Sequence, residues 1–200
     1  MAQFPQRKSI RLPEFDYSQE NYYFITICTY QRNNMFGQII AGKMYLNDTG
    51  KMVENEWHNI PKRFNNVAID KFVIMPNHVH GIIHIRTFEN GKPTVGAIHE
   101  LPVAPLPDKP NDPALIARAI HESPLRHRIA RRQMMLPKII GYFKMNSSKK
   151  INMIRNTPGQ PVWQRNYYER IIADDNAYAA IWDYIDHNPD KWENDRNHKL

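Results

Sequence analysis

His78 and His80 stand one residue apart in the stretch Phe72-Val73-Ile74-Met75-Pro76-Asn77-His78-Val79-His80-Gly81-Ile82-Ile83-His84-Ile85. Its Val, Ile and Phe content predicts a β-strand. Side chains on a strand alternate faces with period two, so both imidazoles leave the same side, close enough to share one divalent cation. Far downstream, Tyr184 and Asn188 are four residues apart, a spacing that puts them on one face of a helix, with Ala177 and Ile181 continuing the stripe. If that helix packs beside the histidine strand, Asn188 completes a His, His, Asn site and Tyr184 presents its oxygen to a substrate held there. Mixed imidazole and amide ligation with open positions suits Mg²⁺ or Mn²⁺ in phosphate chemistry, and imidazole alone also admits zinc or nickel. Such a cation polarises and orients a phosphodiester. A free tyrosine, with a pKa of about 10, needs that help to attack at neutral pH.

Several elements must position these groups. Tyr22 to Tyr30 is dense in aromatic and β-branched residues and predicts a central strand. A turn follows around Gly37 to Gly42. Asn47-Asp48 then caps a helix whose Val53, Trp57 and Ile60 recur at i, i+4, i+7, with Pro61 closing it. The histidine strand comes next, and this strand, helix, strand order predicts an α/β sandwich on an antiparallel sheet. Residues Leu136 to Ile154 read as a helix with an apolar stripe through Ile139, Ile140, Phe143, Ile151 and Ile154. An extended piece, Pro161 to Tyr168, leads to a last helix starting near Asp174-Asp175 and ended by Asn188-Pro189, because proline disfavours helix for the residue before it.

The 200 residues, 42% of them hydrophobic, suffice for one domain with a real core. Residues 89–135 read as an irregular insertion, since Pro93, Pro102, Pro105, Pro107, Pro110, Pro113 and Pro124 crowd it without periodicity. There is no run of about 18 apolar residues and no signal-peptide pattern at the start, which predicts a chain without membrane partners. Cys28 is the only cysteine, so no internal disulfide forms and a reducing cytoplasm is the expected setting. It reads as a small buried hydrophobe.

Charge points to a polyanionic partner. The net charge is +7, and its distribution says more than its sum. No acidic residue falls between Glu122 and Glu169, while Arg126, Arg128, Arg131, Arg132, Lys138, Lys144, Lys149, Lys150, Arg155 and Arg165 all do, interleaved with Tyr142, Phe143 and Trp163. That mixture can neutralise phosphates and stack bases, with Lys144, Lys149, Lys150 and Arg165 as the candidate contacts. A solvated helix face is the plainer alternative. Arg7, Lys8 and Arg11 make residues 1–20 a basic arm that can grip phosphates or fray into solvent.

Met75-Pro76-Asn77-His78-Val79-His80 resembles the histidine-hydrophobic-histidine signature of the HUH endonuclease superfamily. Trp163-Gln164-Arg165-Asn166-Tyr167-Tyr168-Glu169-Arg170-Ile171-Ile172 and Tyr184-Ile185-Asp186-His187-Asn188-Pro189 are similar to the C-terminal pattern of the IS200-like single-tyrosine transposases, and most of all to the REP-associated tyrosine transposases. Arg7-Lys8-Ser9-Ile10-Arg11-Leu12 and Tyr23-Phe24-Ile25-Thr26-Ile27-Cys28 match the domesticated branch. The resemblance implies an α+β, ferredoxin-like sandwich with an antiparallel sheet. It also implies cleavage and rejoining of single-stranded or hairpin DNA through a tyrosine joined to a 5′-phosphate, with His78 and His80 as metal ligands and Tyr184 as nucleophile. Asn188 stands where minimal members have glutamine, one methylene longer.

Several alternatives stay open on the sequence. The histidine pair alone could be two ordinary strand histidines among nine. Tyr167 is the alternative nucleophile, although it lies in an extended segment without an amide four residues on. His84 shares the histidine face but lies roughly 13 Å from His80 by strand rise. Trp57, Tyr178 and Trp182 read as core. A hairpin-binding regulator that has lost catalysis is the competing function, and both monomer and homodimer fit.

Overall fold

A computed structural model describes residues 16–86 and 134–198. The expected basic arm residues Arg7, Lys8 and Arg11, and all but the end of the expected insertion, lie outside the described residues. That end is already ordered into helix, since Met134 is the N-cap and Met135 the first residue of a helix.

Among the described residues the main sheet has four antiparallel strands: β1 (Asn21–Cys28), β4 (Val67–Met75), β5 (His78–Ile85) and β6 (Tyr168–Ile172), in the spatial order β4-β5-β1-β6. Between β1 and β4 come a two-stranded hairpin, β2 (Gly37–Ile40) and β3 (Lys43–Leu46), then α1 (Asp48–His58) and α2 (Ile60–Arg63). Helix α3 (Met135–Ile154) links β5 to β6, and α4 (Asp175–Asp186) follows β6. With the small hairpin set aside, the sheet strands and the helices between them give the order and pairing of a ferredoxin-like α+β sandwich, as expected.

The sheet's two faces carry unequal cores. Tyr23, Ile25 and Ile27 of β1 and Val79, Ile83 and Ile85 of β5 face α1 and α3 in the larger cluster, where the edge of Phe143 meets the Trp57 ring at 5.1 Å. Helix α3 turns Leu136, Ile139, Ile140, Phe143, Ser147 and Ile151 inward at helical spacing. The opposite face holds a small cluster of Phe24, Ile82, Ile172, Ile181 and Ile185, beneath α4. His78 and His80 lie on that second face because their strand alternates with Val79 and Ile83.

Four expectations need correction. Residues 72–85 are not one strand: Pro76-Asn77 form a two-residue turn closed by the Met75–His78 pair, since proline offers no N–H to a ladder and presets a turn. The turn around Gly37 to Gly42 is the β2–β3 hairpin, too short to show a period. Pro61 does not close α1, which is capped at Asn59; it occupies the first turn of α2, where a missing N–H costs nothing. β6 was not expected, because Tyr168–Ile172 follows the extended segment without a break in composition. At α1 the expected cap is present, with Asn47 Oδ1 accepting from Gly50 N at 2.9 Å.

Candidate functional site

β5 and β1 deliver the histidines. His80 pairs with Thr26 across the sheet, and its Nδ1 is hydrogen-bonded to the Thr26 hydroxyl at 2.8 Å. His78 Nδ1 lies 2.8 Å from Asn77 Oδ1. The Asn77 amide nitrogen donates to the carbonyls of Asn197, at 2.8 Å, and Arg32, at 3.2 Å. Carbonyls only accept, so the amide cannot be turned over, and its oxygen must receive a proton from His78 Nδ1. His78 Nε2 is thereby left as a bare lone pair.

That lone pair is buried and, among the described residues, has no hydrogen-bond partner, and neither has Asn188 Oδ1. Two buried acceptors with nothing to accept are costly unless a cation or proton occupies the space they face. Asp195 completes the set: one ligand atom from each of His78, His80 and Asp195 lies within 4.8 Å of the others. Asn188 turns its amide nitrogen toward Asp195 Oδ2 at 3.3 Å. This donor set fits a divalent metal.

Helix α4 brings Tyr184 to the same point. Its hydroxyl is 3.2 Å from His80 Nε2, and its ring is edge-on to Phe24 with centroids 6.0 Å apart. At 38% exposed, Tyr184 touches the buried histidine while staying open to a substrate. The helix starts where expected, with Asp174 Oδ1 accepting from Ala177 N at 2.8 Å.

Burial dominates the site's electrostatics. It lowers His78 to about 4, opposed by the Asp195 charge and by the Asn188 side chain beside it, and reinforced by Arg32 and Arg196. It lowers His80 well below the usual imidazole range, with the neighbouring His78 and Arg196 adding to the effect. Both imidazoles are thus neutral and ready to ligate at pH 7. Burial also raises Tyr184, as does Asp195, while the Asn188 amide and Arg196 pull it back.

The structure therefore brings His78, His80, Tyr184 and Asn188 together. Tyr167 is elsewhere: it packs against the larger core, across the sheet from the histidines. The α3 lysines also belong to that other layer. Lys144 donates to the carbonyls of Gln164 and Arg165, its pKa lowered by burial to about 8, and Lys150 pairs with the buried Glu56. Lys149 and Arg165 are exposed. His84 stacks on Tyr22, centroids 4.0 Å apart, as a packing residue. Trp57 is core, whereas Trp182 is exposed under the Lys71 ammonium. Cys28 is half-buried.

Asp195 is the residue that sequence reasoning missed. It sits just after the 3-10 turn Trp192–Asn194, in a polar run that includes Asp190, Glu193 and Asn194. Trp192, buried with its ring 6.0 Å from that of His78, was the available sign that this tail folds back onto the site.

No family model matches the chain. An uncharacterized protein of Haemophilus influenzae is 38% identical over 190 residues, spanning 95% of this chain and 92% of that protein. Among solved structures, a REP-associated tyrosine transposase bound to a REP hairpin is similar with a TM-score of 0.45 at 15% identity, over 96% of this chain and 74% of that one. A candidate transposase from Deinococcus radiodurans is similar with a TM-score of 0.43 at 12% identity, over 84% and 90%. No helix among the described residues is long and apolar enough to cross a membrane.

Proposed function

The chain belongs to the same family as the uncharacterized Haemophilus influenzae protein, and on that premise we propose that it is a metal-dependent endonuclease and strand transferase of single-stranded DNA, acting on palindromic, REP-like hairpins. The observation that carries this reading is the Tyr184 hydroxyl 3.2 Å from His80 Nε2, beside buried acceptors that suit a cation. The HUH and single-tyrosine motifs read from the sequence supply the reaction class.

His78, His80 and Asp195 would hold the ion, Mg²⁺ or Mn²⁺, with Asn188 Oδ1 beside them. Two imidazoles favour Mn²⁺, the softer of the pair. When bound, the ion supplies Lewis-acid polarisation of the phosphodiester and lowers the cost of ionising a phenol. Tyr184 Oη then forms a bond to phosphorus as the phosphorus–O3′ bond breaks. The departing 3′-oxygen takes up a proton, and the phenolic proton leaves toward the acceptors that face it, among them the Asp195 carboxylate. The phosphotyrosine retains the phosphodiester's energy, so attack by a 3′-hydroxyl reverses the bond changes without ATP.

Incubating the purified chain with labelled hairpin DNA and Mn²⁺ is expected to give a protein–DNA adduct that survives SDS. Tyr184→Phe abolishes that adduct and leaves DNA binding in place. An adduct that persists in Tyr184→Phe and disappears in Tyr167→Phe overturns the assignment, and metal-independent binding with no nicking by the unaltered chain favours a regulator that has lost catalysis.

A further inference from the structure

Two arginines border the site without contributing to the proposed chemistry. Arg196 lies between Asp195 and Asn197, both tied into the site, and its guanidinium is held over the Tyr168 ring, 5.7 Å from the centroid. Tyr168 packs in turn on Phe24, centroids 6.2 Å apart, the ring that also supports Tyr184. Arg32 lies on the turn after β1, and its Nη1 donates to the Arg196 carbonyl at 2.8 Å. Both arginines are exposed, and among the described residues neither guanidinium pairs with a carboxylate. Their charges nonetheless reach inward, Arg32 acting on His78 and Arg196 on His78, His80 and Tyr184.

The backbone that presents Arg32 is itself unusual. Gln31 and Arg32 both have φ of 56°, two consecutive non-glycine residues in the left-handed region. Such conformations persist only where the surroundings hold them, and they gather at ligand-binding turns. Here the Asn77 amide, which also fixes His78, donates to the Arg32 carbonyl. One side chain therefore sets both the metal-binding tautomer and the position of the arginine turn.

We propose that Arg32 and Arg196 form a phosphate clamp beside the histidine–tyrosine site, receiving non-bridging oxygens of a nucleic-acid backbone next to the bond that Tyr184 faces. Guanidinium suits this task, because its planar fork matches phosphate geometry and its weak hydration makes desolvation cheaper than for an ammonium. The clamp is a seat for phosphates of any base sequence. It rests on the nucleic-acid reading of the site given above, but not on the covalent step.

The test is binding of a fluorescent single-stranded oligonucleotide, followed by anisotropy in EDTA across a salt series, which excludes cleavage. Arg32→Gln and Arg196→Gln are each expected to weaken binding about five- to tenfold near 50 mM salt and to flatten the slope of log K against log salt by roughly 0.7. Arg196→Lys, which keeps the charge, restores most of the slope. Arg63→Gln, on the other layer over Phe64, leaves both quantities unchanged. Arg196→Gln keeps the test decisive if Arg32→Gln perturbs its turn, because the Arg196 side chain makes no hydrogen bond within the described residues. Unchanged affinity and slope in Arg196→Gln overturn the clamp, as does an unaltered chain that binds no oligonucleotide. A flattened slope in a protein that forms no adduct keeps the clamp and sinks the covalent reading; an adduct with an unchanged slope does the reverse.

Discussion

Replacing Asn77 with alanine separates what holds the tail from what prepares the metal site. The Asn77 side chain is fully buried and, among the described residues, makes three hydrogen bonds: two to the Asn197 and Arg32 carbonyls, and one received from His78 Nδ1. At about 1 kcal/mol for each bond between neutral groups, Asn77→Ala is expected to cost about 3 kcal/mol, a large share of the roughly 5–15 kcal/mol that stabilises a domain. For a chain of this size that lowers the melting midpoint by about 6–12 °C. The same change frees the His78 ring to exchange tautomers, and losing such an orienting partner weakens metal affinity about 10–100-fold. Asn77→Asp divides the two effects. Its carboxylate still accepts from His78 Nδ1 but repels both carbonyls, so stability falls at least as far while metal affinity is kept. Urea denaturation in EDTA reads the first quantity, and calorimetric titration with Mn²⁺ the second. An Asn77→Ala protein that binds Mn²⁺ within threefold of the unaltered chain would refute the claim that this amide sets the His78 lone pair.

Acidification is expected to destabilise the metal-free protein. The folded-state pKa of His78 is depressed to about 4, so between about 6.5 and 4 the unfolded chain binds more protons than the folded one. Stability from this residue is therefore complete above pH 6.5 and is lost as pH falls toward 4, by on the order of 3 kcal/mol. Urea midpoints in chelator at pH 7 and pH 4.5 measure it, and the difference should shrink in His78→Gln; an equal loss in both proteins assigns the effect to other groups. Gly81→Ala places a Cβ 2.4 Å from Trp57 Cζ2 and 3.2 Å from Phe72 Cβ, against an indole already wedged on Phe143. A cost of about 1–3 kcal/mol follows from overpacking, partly relieved in a Trp57→Phe background. A neutral Gly81→Ala would mean that β5 does not press on that ring.

The parts of the site legible in the sequence are those fixed by local periodicity. Alternation along β5 puts His78 and His80 on one side whatever lies around them, and a helix capped at Asp174 carries Tyr184 to them, whereas Asn188, expected on the same helical face, lies one residue beyond the C-cap His187. What periodicity cannot supply is which chain segment returns to complete the cluster. Asp195 acts through a turn of irregular backbone, and its neighbours Asp190 and Glu193 look equally eligible in one dimension. The same limit explains the basic stretch. Lys144, Lys150 and Arg165 cluster in the sequence, yet α3 covers the far face of the sheet, and Lys144 and Lys150 bind internal partners there. Arg32 and Arg196 are 164 positions apart, and only the fold makes them neighbours.

The attack proposed for Tyr184 needs a helix that is positioned closely without being deeply buried, and the sheet meets both demands through one irregularity. The core beneath α4 is small, so hydrophobic packing alone cannot fix its rotation or slide. β4, the strand at the edge, carries a register shift between Ile69 and Phe72. On a regular strand Asp70 and Lys71 would point to opposite faces; at the bulge both reach α4. Asp70 accepts the Tyr178 hydroxyl proton one turn into the helix, and Lys71 pairs with Asp186 at its end while lying over Trp182. The Lys71–Asp186 pair is exposed and adds little stability by itself. Its effect is geometric, because two anchors about two turns apart set the helix along its length. Tyr184 lies between them, and the direction in which it meets His80 is thus fixed from β4, on the far side of the histidine strand.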